Sequence, residues 1–137
     1  IKYRLINGNY IEKTMYFYIV VIVDGAPRKA VITMRSSNLT PARKLNDLIS
    51  NLRMTDDKGS FQPAAYSAVF KLQTAEKNAG DKTWHVYKPS ISKMLDVSDE
   101  KDAAIYMMAQ EFQKQVSAGS SKPKYDKVGE TKSEEII

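Results

Sequence analysis

The residues of this chain best suited to chemistry are aromatic rings and cations, and the chemistry they suit is non-covalent. Tyr16, Phe17 and Tyr18 stand in succession, and Trp84 and Tyr87 lie further along. The 21 Lys and Arg against 16 Asp and Glu leave a net charge of +5. A solvent-facing ring can stack a nucleobase, worth about 1–3 kcal/mol per base, while nearby cations neutralise the phosphates between bases. Covalent catalysis has little to work with. Cysteine is absent, which removes thiol nucleophiles, disulfides and thiolate zinc sites together. His85 is the only histidine, so no histidine-based metal cluster can form. Asp56-Asp57 and Asp99-Glu100 are adjacent acids, a pattern that suits turns and helix starts better than an acid/base pair. No glycine-rich phosphate loop occurs, since Asn7-Gly8-Asn9 and Asp24-Gly25 are isolated turn signals. The expectation is a protein that is not an enzyme and takes no cofactor and no metal.

The rings and cations must be held by strands. Residues 14–23 and 27–34 are rich in strand formers and flank Asp24-Gly25, a favoured two-residue hairpin loop because both positions tolerate positive φ. Alternation along 14–23 puts Tyr16 and Tyr18 on one face with Val20 and Ile22, and Met15, Phe17, Ile19, Val21 and Val23 on the other. One face can build a core while the other presents rings. A short strand over 2–6 precedes this hairpin. After Arg35, the run Ser36-Ser37-Asn38-Leu39-Thr40-Pro41 predicts a helix capped by Thr40 with Pro41 in its first turn. Ala42, Leu45, Leu48, Ile49 and Leu52 give it one apolar stripe.

Residues 55–60 are polar and read as a loop. Residues 66–74 alternate again, with Tyr66, Ala68, Phe70 and Leu72 on one side and Ser67, Val69, Lys71 and Gln73 on the other. The polar stretch 76–82 predicts a long mobile loop leading to a strand over 83–88. Ser98-Asp99-Glu100 then starts a second helix, marked by Ala104, Ile105, Met108, Phe112 and Val116 and ended by Gly119. From Ser120 the chain is poor in apolar residues and is expected to be disordered.

At 137 residues the chain fits one domain, expected over 1–118 with a flexible tail over 119–137. The fold class is mainly β with two helices. Strand, strand, strand, helix, strand, strand, followed by a C-terminal helix, is the element order of the five-stranded oligonucleotide- and oligosaccharide-binding barrel. The helix there lies between strands 3 and 4, and the face of strands 2 and 3 binds single strands. In this order the aromatic hairpin would be strands 2 and 3.

The candidate nucleic-acid-binding residues follow from that placement. Tyr16, Tyr18 and Trp84 would stack bases, and Arg28, Lys29, Arg35 and Lys71 would neutralise phosphates. Arg35 and Lys71 stand out because strand positions aim a side chain in a defined direction. Each has a plainer alternative: the tyrosines as a second core layer under a helix, Trp84 as core beside Val86, the cations as a solvated surface. Met107, Met108 and Phe112 suit an adaptable protein-binding face, or simply the docking of the second helix.

The sequence resembles the family of phage-encoded single-stranded DNA-binding proteins built on that barrel. The likeness rests on Met15-Tyr16-Phe17-Tyr18, on Ser37-Asn38-Leu39-Thr40-Pro41, on Phe70-Lys71-Leu72-Gln73-Thr74 with Trp84-His85-Val86-Tyr87, and on the acidic-apolar end Glu134-Glu135-Ile136-Ile137. It covers residues 1–118. It implies a sequence-tolerant protein that coats single-stranded DNA in replication or recombination, with a tail that recruits other replication proteins. The tail departs from the pattern, because Lys122, Lys124, Lys127 and Lys132 offset Asp126, Glu130, Glu134 and Glu135.

A protein-interaction or virion-associated domain of the same fold is the competing reading, and RNA is an alternative to DNA. No apolar run reaches the roughly 20 residues that cross a bilayer, and no signal peptide is expected. The expected location is intracellular, the host cytoplasm for a phage protein. Beginning at Ile1 and not at methionine, the chain reads as part of something longer.

Overall fold

The computed structural model describes residues 2–119. Eight strands and two helices follow one another: β1 (Lys2–Arg4), β2 (Tyr10–Glu12), β3 (Thr14–Val23), β4 (Ala26–Arg35), α1 (Leu39–Ser50), β5 (Met54–Asp56), β6 (Gly59–Phe61), β7 (Ala68–Ala79), β8 (Lys82–Met94) and α2 (Glu100–Ser117). The class is mainly β with two helices, as expected. The closed five-stranded barrel is not what the pairing gives. Among the described residues each strand pairs only with its neighbour in sequence, in four two-stranded sheets.

Contacts divide the chain into two compact units. Among the described residues, one holds 2–16 and Thr33–Asp96, the other Phe17–Ile32 and 97–119. The β3–β4 hairpin therefore contributes its base to the first unit and its tip to the second.

In the first unit α1 packs on β8. Leu39, Ala42, Leu45 and Leu52 are buried along its apolar stripe, with Met34 and Ala68 also buried. The helix begins earlier than the sequence suggests. A 3-10 turn, Ser36–Asn38, leads into it, so Thr40 lies inside the first turn and does not cap. Asn38 flanks the helix without a capping bond. Its Oδ1 instead accepts from the Tyr87 backbone N–H at 2.9 Å, which ties the start of α1 to β8. At the other end the Arg53 guanidinium donates to the carbonyls of Ser50 and Leu52 at 2.8 and 2.6 Å, filling acceptors that a helix end leaves open.

The strand expected over 2–6 is β1, but its pairing with β2 and the whole β5–β6 hairpin depart from the sequence reading. In β1–β2, Arg4 faces Tyr10 across the ladder, and its guanidinium donates to the Tyr10 hydroxyl. In β5–β6 the polar run 55–60 forms a three-pair ladder. The Asp56 carboxylate accepts from the Lys58 N–H at 2.8 Å, the side-chain-to-backbone bond that makes an Asx turn.

The second unit sets the tip of β3–β4 with α2. Asp24 (φ 51) and Gly25 (φ 79) both take positive φ, as the two-residue turn requires. Asp99 caps α2, its side chain accepting from the Asp102 N–H at 3.0 Å. Phe112 is 8% exposed. The Tyr18 ring meets it edge-on, with centroids 6.2 Å apart and planes at 74°. The tail expected to be disordered lies, from residue 120 on, outside the described residues.

Candidate nucleic-acid interface

The β7–β8 ribbon is the longest ladder in the structure, and its register decides what each face carries. Gly80 (φ 62) and Asp81 connect Ala79 to Lys82 as a two-residue loop, so the polar stretch expected as a long loop is mostly strand. Glycine at the first central position is what a mirror-type hairpin turn needs. Residues directly opposite in an antiparallel ladder share a face, and successive residues alternate. Lys71, Gln73, Ala75, Lys77 and Ala79 therefore share one face with their partners Ser90, Lys88, Val86, Trp84 and Lys82. The other face carries Phe70, Leu72, Thr74, Glu76 and Asn78 with Ile91, Pro89, Tyr87, His85 and Thr83.

All four lysines of this ladder segment thus stand on one face, around Trp84, and the strands' only acid in the segment, Glu76, stands on the other. Lys71, Lys77, Lys82 and Lys88 are exposed and Trp84 is half-buried. Val86, 8% exposed, is the buried residue in the middle of the face. From Glu76 round to Thr83 every residue is exposed, so the outer end of the ribbon offers both faces to solvent. Towards its base the ladder shifts between Val69 and Phe70, a bulge of the kind that increases local twist.

The other sequence-predicted residues are placed differently. Tyr16 is half-buried and Tyr18 is 39% exposed, the latter with its ring against Phe112. The Lys29 ammonium lies 5.5 Å from the centroid of the same Phe112 ring and donates to Gln115 Oε1 at 2.9 Å. Arg28 is exposed on β4, and Arg35 is exposed at its end. Lys71 and Trp84 lie on one face of one ribbon, three rows apart. Tyr18 and Lys29 are brought together around a helix residue.

Lys71, Lys77 and Lys82 are expected from sequence to flank the second hairpin, but the sequence reading does not bring them onto one face with Lys88. The signal existed: 71 and 77 share parity on one strand, 82 and 88 on the other, and Gly80-Asp81 fixes the register between them. Reading 76–82 as a loop concealed it.

Four lysines without an acid among them give this face a positive potential. The architecture defines a mainly β protein of paired hairpins with one basic ribbon. The family model described as Pam3 phage gp34-like protein matches residues 1–122. The chain belongs to that family and is a phage protein. No curated protein and no solved structure matches it. Among the described residues no helix is long and apolar enough to cross a membrane.

Proposed function

We propose that this phage protein binds single-stranded DNA with little sequence preference and coats exposed strands during replication or recombination, in the cytoplasm of the host. The observation that carries the reading is the sharing of one ribbon face by Trp84 and four lysines with no acid. A ring amid cations is the combination that holds a strand by stacking and phosphate neutralisation together. On the β3–β4 hairpin, Tyr16, Tyr18, Arg28, Lys29 and Arg35 remain proposed contacts in their own right. The likeness to the oligonucleotide-binding barrel is one of sequence, since the structure carries eight strands with α1 between β4 and β5. The proposed binding rests on the hairpin faces and does not need a closed barrel. Recruitment of replication proteins through the tail belongs to the same reading.

Anisotropy of labelled oligo-dT, oligo-U and duplex DNA, titrated at two salt concentrations, tests it. The expected result is binding to oligo-dT that weakens steeply as salt rises, with weaker binding to duplex. Equal affinity for duplex, or no binding to oligo-dT at low salt, would count against it, and a preference for oligo-U would move the assignment to RNA.

A second reading has its own support. Leu5, Ile6, Tyr10 and Ile11, on and beside the β1–β2 hairpin, are all exposed, and apolar side chains gathered in the open mark protein contacts more often than nucleic-acid ones. On that reading the chain is a protein-interaction or virion-associated domain, and its binding to a partner would survive high salt.

A further inference from the structure

We infer that the phosphate track is the Lys71/Lys88/Lys77/Lys82 face of the β7–β8 ribbon, entered from its exposed outer end, with Trp84 as the base platform. This rests on the single-strand reading above and gives it a location.

The ladder supplies the geometry. Successive cross-strand pairs on one face are two residues apart, about 7 Å along the ribbon. Five such rows run from Lys71/Ser90 through Gln73/Lys88, Ala75/Val86 and Lys77/Trp84 to Ala79/Lys82. A cation stands in each row but the middle one, where Ala75 and Val86 lie. Trp84 sits between them and Lys82 on its own strand, directly opposite Lys77. A lysine stem can lie along the apolar floor while its ammonium reaches outward. A strand laid along the ribbon would therefore meet cations before and after the ring, and bases could turn inward at Trp84.

Two plainer roles for these lysines fit less well. Lysines on a two-stranded ribbon can guard its open edges against pairing with another chain, but that task gives no reason to keep all of them off one face. Simple solvation gives no reason either, because the outer end is exposed on both sides and the opposite face there holds Glu76, Asn78, Thr83 and His85. Lys29 of β3–β4 contrasts with this arrangement, since it already donates to Gln115 and lies over the Phe112 ring.

The test is the salt dependence of oligo-dT anisotropy with the full chain. For single strands the slope of log affinity against log salt is about −0.7 per neutralised phosphate. Lys77→Ala and Lys82→Ala should each flatten the slope by about 0.7, and the double variant by about 1.4. Lys58→Ala, in the β5–β6 turn, should leave it unchanged. Trp84→Ala should lower affinity about tenfold at every salt concentration, with Trp84→Phe retaining most of it. If oligo-dT binds the wild type but the Lys77→Ala/Lys82→Ala slope is unchanged, the track lies elsewhere and the single-strand reading survives. If Lys58→Ala flattens the slope as much as Lys77→Ala, net charge and not this face is responsible, and the inference fails. A wild-type chain that binds no oligo-dT defeats both.

Discussion

In the β3–β4 hairpin the Lys29 ammonium lies over Phe112 and donates to Gln115, and Tyr18 turns its ring edge-on to the same phenylalanine. In the β7–β8 ribbon Lys71, Lys77, Lys82 and Lys88 stand exposed on one face around a half-buried Trp84. Both hairpins carry rings and cations in sequence, yet in the first Lys29 is already engaged within the fold, whereas four lysines of the second stand exposed on one face. What separates them is the helix. Once α2 places an aromatic ring and an amide beside β3–β4, these satisfy the polar and aromatic groups there, and part of that surface becomes structural.

The strongest way to break the comparison is to remove the residue that gives β3–β4 its structural role. Phe112→Ala deletes a buried ring together with the contacts to Tyr18 and Lys29 and should destabilise the fold by about 3–5 kcal/mol, read as a fall in the denaturant midpoint. A cost near that of an exposed substitution would mean that the Tyr18–Phe112–Lys29 group carries no structural weight. Trp84→Ala is the mirror experiment on the ribbon. There the loss should appear in oligo-dT affinity, about 1–3 kcal/mol, with the denaturation midpoint moving far less than for Phe112→Ala. The two variants together should separate stability from binding.

Smaller effects sharpen the contrast. Asp99→Ala removes the cap of α2 and should cost about 1 kcal/mol in stability without touching the ribbon, a difference that thermal melting and anisotropy would register separately. Lys29→Ala loses an exposed cation–ring contact worth about 0.5–1 kcal/mol, so it should lower the melting temperature slightly. Its effect on the salt slope should be smaller than that of Lys77→Ala, because the ammonium is already engaged.

The sequence made the local elements plain wherever one signal dominated. The Asp24-Gly25 turn between two β-rich runs placed β3 and β4 to within a residue or so at each end. The stripe from Ala42 to Leu52 marked α1, and Ser98-Asp99-Glu100 marked the start of α2. Where polar residues fill strands, composition misleads: 76–82 reads as a loop, although Gly80-Asp81 alone makes the turn. Strand β2 and the β5–β6 hairpin are hidden for a related reason, since ladders of three pairs carry too little alternation to be seen.

The pairing does not confirm the barrel, and the order departs from it, with eight strands and α1 between β4 and β5 where five strands and a helix after the third were expected. Element order fixes which strands exist but not which ones exchange hydrogen bonds, and those pairings are long-range choices that alternation does not encode. The candidate site was legible by half. Lys71 and Trp84 were identifiable as strand residues with defined directions, but their common face appears only once the register is known. The involvement of Tyr18 and Lys29 with α2 was not legible, because nothing local in 14–34 refers to Phe112, some eighty residues further on.

Trp84 is the only tryptophan in the chain, so its emission reports on the ribbon face without any label. Titration of the native protein with unlabelled oligo-dT at low salt should quench that emission to saturation, and added salt should restore it. Tight binding by anisotropy with the emission of Trp84 unmoved would contradict the account, because the strand would then lie somewhere other than this face.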